Sequence, residues 1–230
     1  MLEVKNITKK YKNTYAINNL SLNVKEGEIS ILLGPNGSGK TTTIKSIAGL
    51  INYKGKILIC GYDNKTIKAK QNFGYIPEIA IYYDNLSIEE HLEFIARAYN
   101  LKNYHNKIID LLKCFNLYEN KDKLAKNLSK GMKQKLCICC ALLPDPKVIV
   151  FDEPMSGLDP YAIKVLKEKI IELRDKGCSI LISTHMIESI YDIYDTVNII
   201  YKGNNKKTLS KSQIENGDKN LEQIFFDITK

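Results

Sequence analysis

Residues 34–41 read Gly-Pro-Asn-Gly-Ser-Gly-Lys-Thr. They lie between a short apolar run and a stretch with helical periodicity. The pattern is G-x-x-x-x-G-K-[ST], and it constrains the fold more than any other segment. Such a loop needs a strand entering it and a helix leaving it. Gly34, Gly37 and Gly39 let backbone N–H groups turn inward around Pro35, Asn36 and Ser38. The helix that follows, near Thr42, places about half a positive charge at its N-terminus. The pattern predicts a phosphate cradle. Lys40 would reach the outer phosphates of a nucleotide, and the Thr41 hydroxyl would hold Mg²⁺.

The flanking sequence supplies the strands and helices this requires. Glu3 to Val24 reads as two strands around a turn near Asn13. Glu28 to Leu33 is an apolar strand, and the helix after the loop spans Thr42 to Leu50. Gly55 and Gly61 bracket a strand at Lys56 to Cys60, and Phe73 to Ile76 is another, ended by Pro77. Ser87 with Glu90 forms a capping box opening a helix to about Tyr99. Further helices span Tyr104 to Phe115, Ser129 to Leu143, Tyr161 to Lys176 (closed by Gly177), Ile187 to Tyr194 and Leu221 to Ile228. Strands are expected at Lys147 to Phe151, Cys178 to Ser183 and Val197 to Tyr201, with a hairpin at Gly203. Short apolar strands alternating with helices predict an α/β fold: a mostly parallel sheet with helices on both faces and its ligand at the C-terminal strand ends.

The chain has 230 residues, 44% of them hydrophobic and 26% charged, which excludes disordered and fibrous classes. No run of about 18 apolar residues is present, so nothing is expected to span a membrane. Residues 1–12 lack the apolar segment of a secretory signal, and a cytoplasmic protein is expected. The net charge of +8 suits an anionic partner such as a nucleotide, a nucleic acid or a membrane surface. Only Arg97 and Arg174 are arginines, however, and lysine is the usual choice for a solvated face. Cys137, Cys139 and Cys140 sit in an apolar run and read as core residues rather than metal ligands. His91 and His105 read as surface or cap residues.

A second acidic strand is needed beside a phosphate loop. Val148-Ile-Val-Phe-Asp152-Glu153-Pro154 provides it. The strand carries Asp152 to the sheet edge, where it can hold Mg²⁺. Glu153 then stands where it can polarise a water for in-line attack on a γ-phosphate.

Between loop and strand lies Leu128-Ser129-Lys130-Gly131-Met132-Lys133-Gln134. This segment resembles the L-S-G-G-Q signature of ATP-binding cassette (ABC) proteins. Other segments resemble the remaining marks of that family in the same order. Tyr11 is similar to the aromatic that stacks on adenine. Glu78, in Gly74-Tyr-Ile-Pro-Glu78, stands at the family's Q-loop glutamine. Ser156-Gly-Leu-Asp159 resembles the D-loop, and Ser183-Thr-His185 the switch histidine. The resemblance runs from about Leu2 to Ile228. It departs from the pattern at Glu78, in place of glutamine, and at Lys130, in place of glycine. The drug-exporter-type branch tolerates both, and Leu221-Glu-Gln-Ile-Phe225 resembles the end of its cassettes.

The resemblance implies one ABC ATPase domain over residues 1–230. Its core is of the P-loop NTPase, RecA-like kind, built from residues 1–76 and 147–230 with an N-terminal antiparallel β subdomain. A helical signature subdomain at about 77–146 is inserted. It implies ATP and Mg²⁺ as ligands, with Thr41, Glu78 and Asp152 on the metal and Glu153 and His185 in catalysis. Ser129, Lys130, Gly131 and Asp159 would meet ATP held by a second cassette, identical or not. The implied setting is an exporter whose membrane-spanning permease is a separate chain, with the cassette peripheral on the inner face of the cell membrane and no nucleic acid partner. Two rivals remain at this level: a soluble ABC ATPase acting on nucleic acid or the ribosome, and a small-molecule P-loop kinase. A single cassette without heptad runs weighs against the first, and the signature with Asp159 against the second.

Overall fold

The computed structural model describes residues 1–230. The chain opens with the hairpin β1 (Leu2–Tyr11) and β2 (Thr14–Val24), followed by β3 (Ile29–Leu33) and α1 (Lys40–Ile47). Then come β4 (Lys54–Ile59), β5 (Tyr62–Asp63), α2 (Ile67–Gln71) and β6 (Phe73–Ile76). Three helices follow: α3 (Ile88–Ala98), α4 (His105–Cys114) and α5 (Lys130–Leu142). The second half adds β7 (Val148–Asp152), α6 (Pro160–Asp175), β8 (Ser179–Thr184), β9 (Thr196–Tyr201) and β10 (Asn204–Ser210). It closes with α7 (Lys211–Glu215) and α8 (Leu221–Thr229).

Two sheets result. The order β2-β1-β4-β5 is antiparallel throughout, and the larger sheet runs β10-β9-β3-β8-β7-β6. In the larger sheet all neighbours are parallel except β10 on β9. Every residue of β3, β7 and β8 is buried, which is why these strands read as largely apolar runs, interrupted only by Ser30, Ser179, Ser183 and Thr184, with Asp152 ending β7. Their side chains alternate between two cores. Ile31, Phe151 and Ile182 join the core shared with the helices; Leu32, Val150 and Leu181 join the core under the antiparallel sheet. That second core also takes Val4, Ile7, Leu20 and Ile57 from the small sheet and Ile44 and Ile47 from α1.

The capping box is present: Ser87 Oγ accepts from Glu90 N–H at 3.2 Å and Glu90 returns to Ser87 N–H at 2.7 Å. Four local expectations need correction. The helix expected over Ile187 to Tyr194 is a single 3-10 turn at Ile187–Ile190. Met186 at its cap position offers no side-chain oxygen, and Ser189 Oγ bonds back to the Met186 carbonyl at 2.7 Å, tightening the turn. Ile193 and Tyr194 then serve the core from an irregular segment. Second, α1 begins at Lys40, two residues before the expected start, because Gly39 already occupies its N-cap. Third, His91, expected as a surface or cap residue, is buried. Its Nδ1–H donates to the Ser87 carbonyl at 2.7 Å, and Nε2 accepts from the Tyr83 N–H at 2.8 Å, so one tautomer anchors the loop before α3. Fourth, Gly55 lies inside β4 instead of bounding it.

Gly55 has φ 107°, and a Cβ there would stand 2.5 Å from the Asn6 carbonyl oxygen. It sits at the register shift between β1 and β4, where the two backbones approach closely. Gly55→Ala is expected to cost about 1–3 kcal/mol. At roughly 2–4 °C per kcal/mol for a chain this size, the melting temperature should fall by several degrees. Gly61→Ala, whose Cβ meets nothing within 4 Å, should cost clearly less.

Candidate active site

Three strand ends meet at one edge of the large sheet. β8 lies between β3 and β7, with Leu33 paired to Thr184 and Asp152 paired to Ser183. The loop after β3, the acidic pair after β7 and His185 after β8 therefore leave the sheet side by side. A cleft of ≈ 390 Å³ opens there. It is lined by Tyr11, Ala16, Pro35, Asn36, Gly37, Gly39, Lys40, Thr41, Thr42, Glu78, Glu153 and His185. All but Ala16 were expected from the sequence. Gly34 and Ser38 lie behind this lining.

The loop is held in place by close backbone approach. Gly39 has φ 107°, and a Cβ on it would stand 2.5 Å from the Ala16 carbonyl oxygen of β2. Only glycine fits, and the N–H groups of the first turn of α1 then face the cleft without helical partners. Lys40 is 6% exposed. Its Nζ donates to the Gly34 carbonyl at 2.7 Å and lies 3.7 Å from Glu153 Oε1. Burial lowers its pKa, while the charges of Glu153 and Asp152 act in the opposite direction.

Asp152 is 1% exposed. Its Oδ1 accepts from Ser183 Oγ at 2.5 Å and from Thr41 Oγ1 at 3.5 Å. Burial raises its pKa, and the hydrogen bonds from Ser183 and Thr41 limit the rise. Glu153 follows in the left-handed region at φ 49°. Its N–H donates to the Ser183 carbonyl, 3.2 Å away, with Ser183 Oγ also at 3.2 Å. His185 Nδ1–H donates to Glu153 Oε1 at 2.8 Å. Thr41 and Asp152 together present only hydroxyl and carboxylate oxygens, a donor set that fits a hard divalent cation.

The remaining expected site residues form a separate cluster. Ser129 caps α5, accepting from the Met132 N–H at 3.3 Å. The Lys130 side chain lies over Gly157, where a Cβ would meet Lys130 Cε at 3.0 Å. Asp159 caps α6, accepting from the Ala162 N–H at 2.8 Å and from Lys135 Nζ at 3.0 Å. These two donors, the backbone one first, lower its pKa. Ser129, Lys130, Gly131 and Asp159 do not line the loop's cleft. Lys130 instead borders a neighbouring cavity of ≈ 360 Å³, and Glu78 lines both.

Sequence reading missed Ser183, whose hydroxyl touches both acidic residues, and Ala16, whose carbonyl meets the loop. Ser183 is a polar residue near the end of an apolar strand, a weak signal until the neighbouring strand is known.

The fold and cleft define a P-loop nucleotide-binding ATPase of the α/β class. The model of the family described as "ABC transporter" matches residues 17–156, more than half of the chain. The chain belongs to that family, as an ATP-binding subunit. It is 35% identical over 239 residues to the ABC-type transporter ATP-binding protein EcsA of Bacillus subtilis, covering 100% of this chain and 97% of the relative. The SkfA peptide export ATP-binding protein SkfE of the same organism is 35% identical, over 94% of this chain and 91% of the relative. A solved ATP-binding subunit of an ABC transporter superposes with a TM-score of 0.94 at 36% identity, covering 100% of both chains.

Ser183→Ala is expected to leave the buried Asp152 without its shortest hydrogen bond, a loss of about 1–3 kcal/mol at neutral pH. Chemical denaturation of both proteins measures it. A change below about 0.5 kcal/mol would mean that the serine hydroxyl does not support this edge.

Proposed function

We propose that this chain binds and hydrolyses ATP to drive export through a separate membrane-spanning partner. The observation that carries the reading is the environment of Glu153, whose Oε1 accepts from His185 and faces Lys40 across 3.7 Å. A carboxylate so placed is suited to take a proton from water attacking a γ-phosphate. Lys40 is bonded to the loop's own Gly34 carbonyl. Phosphate oxygens offer it a stronger partner, so ATP would draw Lys40 forward and free Glu153 to act as a base. His185 would hold the Glu153 carboxylate and, from the same edge, reach the phosphate or the water.

Thr41 and Asp152, with Glu78 beside them, would hold Mg²⁺, which neutralises phosphate charge when bound. Tyr11, 48% exposed at the mouth of the cleft, would stack on adenine. Ser129, Lys130, Gly131 and Asp159 stand apart from this cleft, which is consistent with their serving ATP on a second cassette in a head-to-tail pair. Residues 1–76 and 147–230 would form the nucleotide core, with about 77–146 as the inserted helical subdomain.

Export is favoured by the functions of two relatives, SkfE and the lipopolysaccharide export protein LptB of Haemophilus influenzae, 32% identical over 98% of this chain. No helix here is long and apolar enough to cross a membrane, so a separate permease fits, with the cassette on the cytoplasmic face. Ile79 and Ile81, each 80% exposed, and Tyr83 at 59% would meet that permease on the loop that His91 anchors.

Glu153→Gln is expected to retain ATP binding and hydrolyse at least ~100-fold more slowly. It should also accumulate as an ATP-bound dimer in gel filtration. Unchanged turnover would remove Glu153 from catalysis. Ile81→Glu should keep the basal ATPase rate yet lose co-purification with a polytopic membrane chain. Retained co-purification would move the docking surface elsewhere.

A further inference from the structure

We propose that the outer face of the antiparallel sheet docks on anionic lipid headgroups. Charge is segregated along the chain. Residues 1–72 hold 12 of the 34 basic residues and only four of the 26 acidic ones. That third therefore carries the whole excess of eight, and the remainder balances at zero.

The strand register concentrates these lysines. Val4, Ile7, Ile57 and Ile59 point into the core, so Lys5, Lys10, Lys54 and Lys56 stand on the opposite face, and all four are exposed. Lys5 lies directly opposite Lys56, and Lys54 opposite Thr8. Like charges in facing positions destabilise a sheet. A face that served only solubility would intersperse the two signs. Glu3 at one end pairs with Lys5, but Lys10, Lys54 and Lys56 form no ion pair. Lysines on the helical side behave differently: Lys121 pairs with Glu89 at 2.8 Å, Lys135 with Asp159 at 3.0 Å and Lys167 with Asp192 at 2.7 Å. Unpaired lysines such as Lys102 and Lys123 occur elsewhere, but there acidic residues match the basic ones in number, whereas on this sheet they do not.

An exposed tyrosine shares the face: Tyr15 stands opposite Lys10, whose Nζ lies 5.2 Å from the centre of its ring. Asp63, opposite Leu58, adds one acidic group at the far edge. Tyrosine rings favour the headgroup level of a bilayer, and juxtamembrane lysines add attraction to anionic lipids. The face holds lysine and no arginine, hence point charges rather than the forked donors that read nucleic acid. A second copy of the same face would be repelled.

Sedimentation of the full chain with vesicles of phosphatidylcholine and phosphatidylglycerol in equal parts tests this. Binding is expected to these vesicles, not to phosphatidylcholine alone, and to vanish at high salt. The triple variant Lys5→Gln, Lys54→Gln, Lys56→Gln relieves like-charge repulsion and should fold, keep its ATPase rate and bind on the order of 100-fold more weakly. Lys102→Gln, Lys123→Gln, Lys164→Gln removes the same charge elsewhere and should bind as the parent does. Three results would overturn the proposal: no binding of the parent to anionic vesicles, equal losses in both triple variants, or lysine-dependent binding of a short RNA without vesicle binding.

Discussion

A parallel strand buried on both faces can hold polar side chains only where it ends. In this protein β3, β7 and β8 are buried along their full length, and β8 separates the other two. Ser30 and Ser179 lie toward the strands' N-terminal ends, while Asp152, Ser183 and Thr184 gather at the C-terminal edge, where Ser183 Oγ donates to Asp152 and lies beside the Glu153 N–H. That single hydroxyl ties together two strands and orients the acidic pair beneath the glycine-rich loop. The loop, its helix and the cleft above them depend on this junction.

Electrostatics explains why the site is built of opposed charges. Lys40 and Asp152 are both almost wholly buried, and an unpaired charge so placed would be costly. Lys40 is met by the Gly34 carbonyl and Glu153, and Asp152 by Ser183 and Thr41. On the proposed reading, a triphosphate with a divalent cation would offer the same groups stronger partners, so a resting network that satisfies itself modestly could exchange partners without a buried charge standing alone.

The two sheets divide the electrostatic labour. The large sheet gathers its charges into the cleft. The small one spreads lysines over an open face, where Lys5 and Lys56 oppose each other. Family membership accounts for the first distribution and is silent on the second.

Much of this was legible in the residues. The phosphate loop, the acidic strand end and the Ser87 capping box are local patterns whose geometry follows from a few adjacent residues, and each forms as the pattern implies. Apolar runs likewise located β3, β7 and β8, since burial on both faces leaves no polar alternation to misread. Elements whose form depends on distant neighbours were not legible. Gly55 looked like a strand boundary because the approach of Asn6 cannot be seen along the chain. His91 read as a surface or cap residue because its second partner, the Tyr83 N–H, comes from a preceding loop. Ile187 to Tyr194 carried helical spacing, yet with no cap at Met186 the core took Ile193 and Tyr194 from an irregular segment. The sequence by itself determined that residues 34–42 form a phosphate loop and that Asp152 and Glu153 end an apolar strand, because loop and strand chemistry are local. Tertiary structure alone decided that Ser183 joins the acidic pair, that Ala16 closes on Gly39 and that the lysines share one face. Strand order and register bring together residues that the chain keeps far apart.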